Sequence, residues 1–251
     1  MSADIKTRLA ITNDLPGTGP IHLDKDQSHY LAHVLRARPG EQIGLFNGRD
    51  GEWLAQITGV NKKAVELAVL SLRRGQRPEP DIWLAFAPIK KARIDFVAQK
   101  ATELGAARLM PVMTRRTQVD RVKTDRLAAN AREAAEQCER LSLPRVDEPT
   151  RLDDLLAAWP HDRHLMFCDE DLSGRPALDA LTRFDPETPG PWGILIGPEG
   201  GFDPAERDAI HRLPHVVPVS LGPRLLRADT AAMAALSLWQ AALGDWAVTP
   251  R

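Results

Sequence analysis

Up to about Leu72, apolar residues come in short runs broken by turn-forming clusters. Thr7 to Thr12 is a strand-length run. Gln27 to Arg36 carries Tyr30, Leu31, Val34 and Leu35 at helical spacing, and Pro39-Gly40 should end that helix. Gln42 to Phe46 and Gly51 to Thr58 flank Asn47-Gly48-Arg49-Asp50-Gly51, where asparagine and glycine tolerate the positive φ of a hairpin turn. A second turn at Asn61-Lys62-Lys63 leads into a strand from Ala64 to Leu72. Several short strands and one helix predict a small β-barrel domain over residues 1–74.

Arg73-Arg74-Gly75-Gln76-Arg77-Pro78-Glu79-Pro80 is a polar, proline-bearing connection and the best domain boundary. Beyond it the texture changes. Strand patterns over Ile82–Ala87, Arg108–Val112, His164–Cys168, Trp192–Ile196 and Val216–Ser220 alternate with helical segments. The clearest helices are Ile94–Leu104, stopped at Gly105, then Thr124–Arg140, ending before Pro144, and Thr230–Leu243. This alternation predicts an α/β domain over residues 80–251, with a mostly parallel sheet covered on both faces.

Trp192–Ile196 is apolar except for Gly193 and reads as a strand buried on both sides. Gly197-Pro198-Glu199-Gly200-Gly201-Phe202 follows it. Asp203 then stands at an N-cap, Pro204 at the first helical position, and Glu206 where a capping box needs an acid. The strand Val216–Ser220 likewise ends in Leu221-Gly222-Pro223-Arg224-Leu225-Leu226-Arg227, before an alanine-rich helix. Two glycine-containing loops are therefore expected side by side at the carboxyl edge of the sheet, where open α/β sheets bind ligands.

The chemistry of that edge disfavours phosphate. The glycine spacing is neither G-x-G-x-x-G nor a P-loop, and Glu199, Asp203 and Glu206 crowd the helix start where a pyrophosphate needs bare N–H donors. An acid-rich cradle suits a cationic or donor-rich ligand. S-adenosylmethionine, with its adenine and sulfonium, meets both conditions without being singled out by them.

Composition adds little: 43% hydrophobic and 27% charged residues are ordinary for a soluble protein. No apolar run approaches the roughly 20 residues of a membrane helix, and Met1 to Arg8 lacks an apolar signal core, so a cytoplasmic protein is expected. Cys138 and Cys168 are expected to be reduced structural thiols. His161 and His164 lack a third ligand of the right kind, and no metal site is expected. A net charge of −1 announces no bulk nucleic-acid binder. Basic residues nevertheless gather at Arg73, Arg74 and Arg77, at Lys90, Lys91 and Arg93, and at Arg115, Arg116, Arg121 and Lys123. Such clusters are either a solvated surface or an electrostatic footprint.

The glycine segment 197–202, with Ser220-Leu221-Gly222-Pro223-Arg224-Leu225-Leu226-Arg227 and Thr230, resembles the cofactor-binding signature of the SPOUT methyltransferases. More narrowly it resembles the RsmE family of ribosomal RNA small-subunit methyltransferases. Lys100-Ala101-Thr102-Glu103-Leu104-Gly105 and Glu133-Ala134-Ala135-Glu136-Gln137-Cys138-Glu139-Arg140 match the same family, and Tyr30 to Gly51 is similar to its PUA-like domain. The resemblance implies methylation of N3 of one uridine in 16S rRNA from S-adenosylmethionine, by a homodimer whose C-terminal domain carries a trefoil knot. It assigns the cofactor to Ile196, Gly197, Pro198, Glu199, Gly200, Leu221, Gly222, Leu225, Leu226, Arg227 and Thr230. The family commonly reads Arg-Thr-Glu-Thr where this chain has Arg227-Ala228-Asp229-Thr230, so the hydroxyl is lost and the acid shortened.

Methylating N3 requires removal of an imide proton beside the methyl donor. Glu199 and Asp229 are candidate bases, and Arg227 is placed either to stabilise the uracil anion or to anchor a phosphate. Arg93, Arg115, Arg116 and Arg140 are candidate RNA contacts, because guanidinium groups suit phosphate oxygens. Lys100 and Glu103, at i, i+3, can simply pair with each other. The rival readings are a non-catalytic RNA-binding module using the barrel and basic clusters, and a nucleotide-phosphate enzyme, which the acidic helix start disfavours.

Overall fold

The computed structural model describes residues 5–15, 17–61, 64–90, 92–171 and 174–247. Lys62 and Lys63 of the second turn, Lys91 of a basic cluster, and the outermost residues of both expected domains lie outside the described residues. Two compact units are present: Met1–Pro78 with Arg132–Leu143, and Glu79–Ala131 with Pro144–Arg251.

The first unit contains β1 (Arg8–Ala10), β2 (Gly19–His22), α1 (Lys25–His29), β3 (Gln42–Phe46), β4 (Glu52–Val60) and β5 (Val65–Arg74). Its sheet runs β1-β3-β4-β5-β2, with β1 parallel to β3 and the remaining pairs antiparallel. Three register shifts between β4 and β5 are the bulges that twist and bend such a ribbon around its core of Leu31, Ile43, Leu45, Ile57 and Leu67. The expected hairpin turn is present. Asn47 Oδ1 accepts from the N–H groups of Arg49 (3.0 Å) and Asp50 (2.9 Å), and Gly48 and Gly51 both lie at φ +80°.

The helix expected over Gln27–Arg36 differs. Asp24 caps α1 by accepting from Gln27 N–H at 2.7 Å, but Tyr30–Val34 widens into a π-turn in which Leu35 N–H donates to Tyr30 O at 3.0 Å. Arg36, at φ +50°, ends the segment before Pro39 is reached. The wide turn buries Leu31 completely and leaves Val34 59% exposed, so the four apolar positions do not form one straight face. The strand β2 on the sheet edge was not visible in the pattern, and β1 is shorter than the Thr7–Thr12 run.

β5 runs through Arg74, so two arginines of the expected connection are strand residues with work inside the unit. Glu52, fully buried, accepts from Arg8 Nε (2.6 Å), Arg74 Nε (2.5 Å) and Arg73 Nη1 (3.0 Å). Burial alone pushes this carboxyl up, and the Arg74 and Arg8 hydrogen bonds outweigh it and hold it below its ordinary value. Arg8 also donates to the carbonyls of Ala135, Glu136 and Arg140, joining residues 132–143 to this unit.

The second unit holds β6 (Ile82–Phe86), α2 (Ala92–Glu103), β7 (Arg108–Met113), the first part of α3 (Thr124–Gln137), β8 (Arg145–Val146), β9 (Thr150–Arg151) and α4 (Leu152–Ala157). There follow β10 (His164–Cys168), β11 (Arg175–Pro176), α5 (Ala177–Leu181), β12 (Trp192–Ile196), α6 (Pro204–His211), β13 (Val216–Ser220) and α7 (Ala228–Leu243). Every pairing is parallel, in the order β11-β13-β10-β12-β6-β7-β8, with β9 beside β7.

Period-2 alternation distributes the strand side chains between two cores. Ile82, Leu84, Phe86, Met166, Trp192, Ile194 and Ile196 pack with residues of α2, α5 and α7. Ala85, Met110, Val112, Leu165, Phe167 and Leu195 pack under α4 and α6. A strand buried on both faces is apolar throughout for this reason.

Helix ends obey local chemistry with small shifts, α2 itself starting at Ala92 rather than Ile94. α2 stops at Gly105 (φ +82°), where a Cβ would lie 2.5 Å from Gln240 Nε2, and that amide donates to Leu104 O at 2.8 Å. α3 ends at Gln137 rather than Arg140, because Glu139 turns left-handed at φ +63°. α7 begins at Ala228, two residues before Thr230, with Arg227 extended at its N-cap. Lys100 Nζ donates to Glu103 at 2.7 Å as their spacing suggested. Among the described residues no helix is long and apolar enough to cross a membrane.

A candidate cofactor site at the carboxyl edge of the parallel sheet

The turn after β12 closes when Gly201 N–H donates to Pro198 O at 2.9 Å, with Gly201 at φ +69°. A Cβ at Gly197 would lie 2.6 Å from the buried Phe202 ring, and one at Gly201 would overlap the Glu170 carboxylate. Gly200 has ordinary contact space instead. The helix start carries the full capping box: Asp203 Oδ1 accepts from Ala205 N–H at 3.1 Å, and Glu206 Oε2 from Asp203 N–H at 3.0 Å.

Loops from two other strands of the sheet, β7 and β10, brace this turn. After β7, Arg115 N–H donates to Glu206 Oε1 (2.7 Å), Arg115 Nη1 to Asp203 Oδ1 (2.8 Å), and Arg116 Nη1 to Gly200 O (3.0 Å). After β10, Glu170 Oε1 accepts from Phe202 N–H at 3.1 Å and from Arg207 Nη2 at 2.7 Å, while Arg207 Nε lies 2.5 Å from Asp169 Oδ2.

The two glycine loops are not direct neighbours. β10 lies between β12 and β13, so the loop Cys168-Asp169-Glu170 stands between them. The expectation of side-by-side loops fails because chain order and strand order differ here: β12 is laid on one side of β10 and β13 on the other.

A cavity of about 600 Å³ opens where the loops converge, within the range of small-molecule sites. Nine of the eleven residues assigned to the cofactor line it: Ile196, Gly197, Pro198, Glu199, Gly200, Leu221, Leu225, Leu226 and Arg227. Gly222 and Thr230 adjoin lining residues without lining it themselves. Gly222, at φ +110°, donates its N–H to Ser220 Oγ, and Thr230 N–H donates to Asp229 Oδ1 at 3.0 Å. Arg93, Cys168, Asp169, Glu170, Gly201, Arg224, Ala228 and Ala231 complete the wall. Three consecutive acids at a strand end, Asp169 to Asp171, were the only signal for the β10 loop. Burial pushes the Cys168 thiol up to about 12, so it packs as a neutral group.

Glu199 and Asp229 meet on one cation. Arg93 Nη1 donates to Glu199 Oε1 at 2.9 Å, and Arg93 Nε lies 3.8 Å from Asp229 Oδ2. Arg93, Arg115 and Arg116 are thus engaged around the glycine turn. Arg140 belongs to the other unit, where its Nε donates to Ser142 Oγ at 3.2 Å. The side chains of Arg224 and Arg227, both exposed, make no hydrogen bond or ion pair among the described residues.

The wall suits an adenosyl sulfonium. Backbone N–H groups of Glu199, Gly200, Leu225 and Leu226 are uncommitted among the described residues and can read a purine edge. Ile196, Pro198, Leu221 and Leu225 offer apolar surface to its ring, and Asp169, Glu170 and Glu199 offer negative charge.

These features define an α/β domain with a three-loop ligand cavity at the carboxyl edge of its parallel sheet. Family models match residues 77–240 as an RNA methyltransferase domain and residues 23–70 as an RNA methyltransferase PUA domain. A curated relative from Rickettsia conorii, ribosomal RNA small subunit methyltransferase E, is 30% identical over 92% of this chain and 93% of its own. A methyltransferase from Legionella pneumophila, solved with the bound cofactor SAM, superposes with a TM-score of 0.85 at 32% identity, covering 94% of this chain and 97% of that one. Ribosomal RNA small subunit methyltransferase E from Neisseria gonorrhoeae, solved bound to S-adenosyl methionine, gives 0.84 at 27% identity over 96% and 99%. The chain belongs to the RsmE family of RNA methyltransferases.

Proposed function

We propose that the protein transfers a methyl group from S-adenosylmethionine to N3 of a uridine in 16S rRNA of the small ribosomal subunit. The observation that carries the reading is the cavity itself: three loops enclose free backbone donors, apolar surface, acids and two unpaired arginines. When bound, the cofactor supplies an electrophilic methyl on a sulfonium.

The chain's own residues do the rest. The glycine turn and the 221–227 loop hold the donor, which is the positioning on which such a displacement depends. The N3 proton leaves to Asp229, since Glu199 is held at 2.9 Å by Arg93 whereas Asp229 is 3.8 Å from it. Arg227, without a protein partner, stabilises the negative charge that develops on the uracil ring. The acid retained at Asp229 keeps this role despite the family's longer side chain, and Ala228, a wall residue, needs no hydroxyl for it.

In this reading residues 1–74 hold RNA and residues 80–251 catalyse, with Arg93, Arg115, Arg116 and Arg140 contributing RNA contacts. The enzyme works in the cytoplasm as a homodimer with a C-terminal trefoil knot. The decisive test exposes rRNA to the protein and labelled cofactor and locates the methyl by mass spectrometry. The expected product is N3-methyluridine, with Asp229→Asn lowering kcat about 100-fold and Glu199→Gln much less. A methyl on another base, or none, overturns it.

A further inference from the structure

The cavity wall is charged unevenly. The loop after β10 brings Asp169 and Glu170 against a single cation, Arg207, with Asp171 also nearby, so that cluster carries an excess of negative charge; the loop after β13 brings the Arg224 and Arg227 side chains with no acid paired to them. Asp169 is only 7% exposed, and Glu170 has its Oε1 spent on Phe202 N–H and Arg207. A half-buried excess charge is poorly screened, and it discriminates between ligands by their charge more than by their shape.

The donor and the spent cofactor differ in that respect. S-adenosylmethionine is a sulfonium, and the product left after methyl transfer is a neutral thioether of nearly the same outline. Accepting the cofactor reading above, we infer that Asp169 and Glu170 are specificity residues that favour the sulfonium donor over its thioether product, so that loss of the methyl weakens the cofactor's hold. Neither residue transfers a proton or touches the uridine. Arg207 sets the strength of the effect by compensating only part of the acidic charge of this loop.

A purely structural brace is the competing role, because Glu170 also holds Phe202 N–H. The two roles separate by linkage. Burial, with Asp169 alongside, holds the Glu170 carboxyl above its ordinary value. The charged groups around it are Asp169 and Asp171 from its own loop, Arg207 from α6, and Glu199 within the glycine turn. A cationic ligand favours the ionised carboxylate and so releases a proton on binding when pH lies near or below that raised value. Sulfonium affinity then rises with pH through Glu170's titration range and levels off above it. The neutral thioether shows no such slope.

The experiment is titration calorimetry of the full chain with S-adenosylmethionine and with S-adenosylhomocysteine, in two buffers of different ionisation enthalpy, at mildly acid and neutral pH. Glu170→Gln, which keeps an acceptor for Phe202 N–H, is compared with wild type. The expected result is sulfonium Kd raised about tenfold with thioether Kd changed less than about twofold, and the pH slope and proton release abolished. Equal weakening of both ligands, or no change in either, overturns the inference and leaves Glu170 as a brace. If Glu170→Gln does not fold, the wild-type proton release decides alone: its absence for the sulfonium overturns the inference. Failure of wild type to bind either ligand instead removes the cofactor reading on which all this rests.

Discussion

The two edges of the parallel sheet use the same residue types to opposite ends. At the amino edge, Arg163 is 6% exposed and lies 3.5 Å over the Trp83 ring. Its two Nη groups donate to Asp81 O and Oδ1 (both 3.2 Å), Trp192 O (2.8 Å) and Asp81 Oδ2 (2.5 Å). At the same edge His164 meets Phe184 and His215 edge-on and Trp192 at a tilt, and Phe184 meets Trp192 edge-on. At the carboxyl edge, Arg224 and Arg227 face a cavity with no partner among the described residues. A guanidinium whose Nη donors are consumed, as in Arg163, holds strands and loops together even though its Nε is unpartnered; one with every donor to spare is available to a ligand. The contrast lies in satisfaction, and composition does not reveal it.

The contrast breaks most visibly if Arg163→Ala turns out to be harmless. Its loss removes the hydrogen bonds to Trp192 O and Asp81 and the cover of Trp83, and should cost about 3 kcal/mol in chemical denaturation, with cofactor affinity of the folded fraction unchanged. The mirror-image substitution, Arg227→Ala, should lower kcat about 100-fold, or about 2.7 kcal/mol of transition-state stabilisation, and leave the denaturation midpoint where it was. A Tm change comparable to that of Arg163→Ala would place Arg227 among the structural arginines instead.

The smallest effect is a pH dependence at the amino edge. Burial, and then His215, lower the His164 pKa from its ordinary 6.5. The unfolded chain therefore takes up this proton before the folded one does. His164's contribution to stability is complete above about pH 6.5 and is lost as pH falls from there through the lowered value. Thermal melts of His164→Phe should show a shallower acid decline than wild type over that window; parallel curves would mean that another group titrates.

Much of the site was legible because its determinants are local. The capping box at Asp203, Pro204 and Glu206 is written in consecutive residues, and it is present as expected. The same holds for the glycine turn, for the stop at Gly105, and for the all-apolar strand Trp192–Ile196 with its alternate residues in two cores. The failures are equally physical. The helix expected through Arg36 yields to a π-turn because burial of Leu31 outweighs regular helical spacing. The arginines of the expected connection, Arg73 and Arg74, are drawn into the sheet by buried Glu52, a carboxylate more than twenty residues away.

The sequence by itself determined where the strands, turns and helix caps lie, since dihedral preference and capping act over a few residues. It also placed both glycine loops at the same edge, because parallel strands share a direction. Tertiary structure alone decided that β10 enters between β12 and β13, bringing Asp169 and Glu170 into the wall. It alone decided which arginines are spent and which are free. Strand order and charge pairing are set by contacts among residues tens of positions apart, and no periodicity along the chain records them.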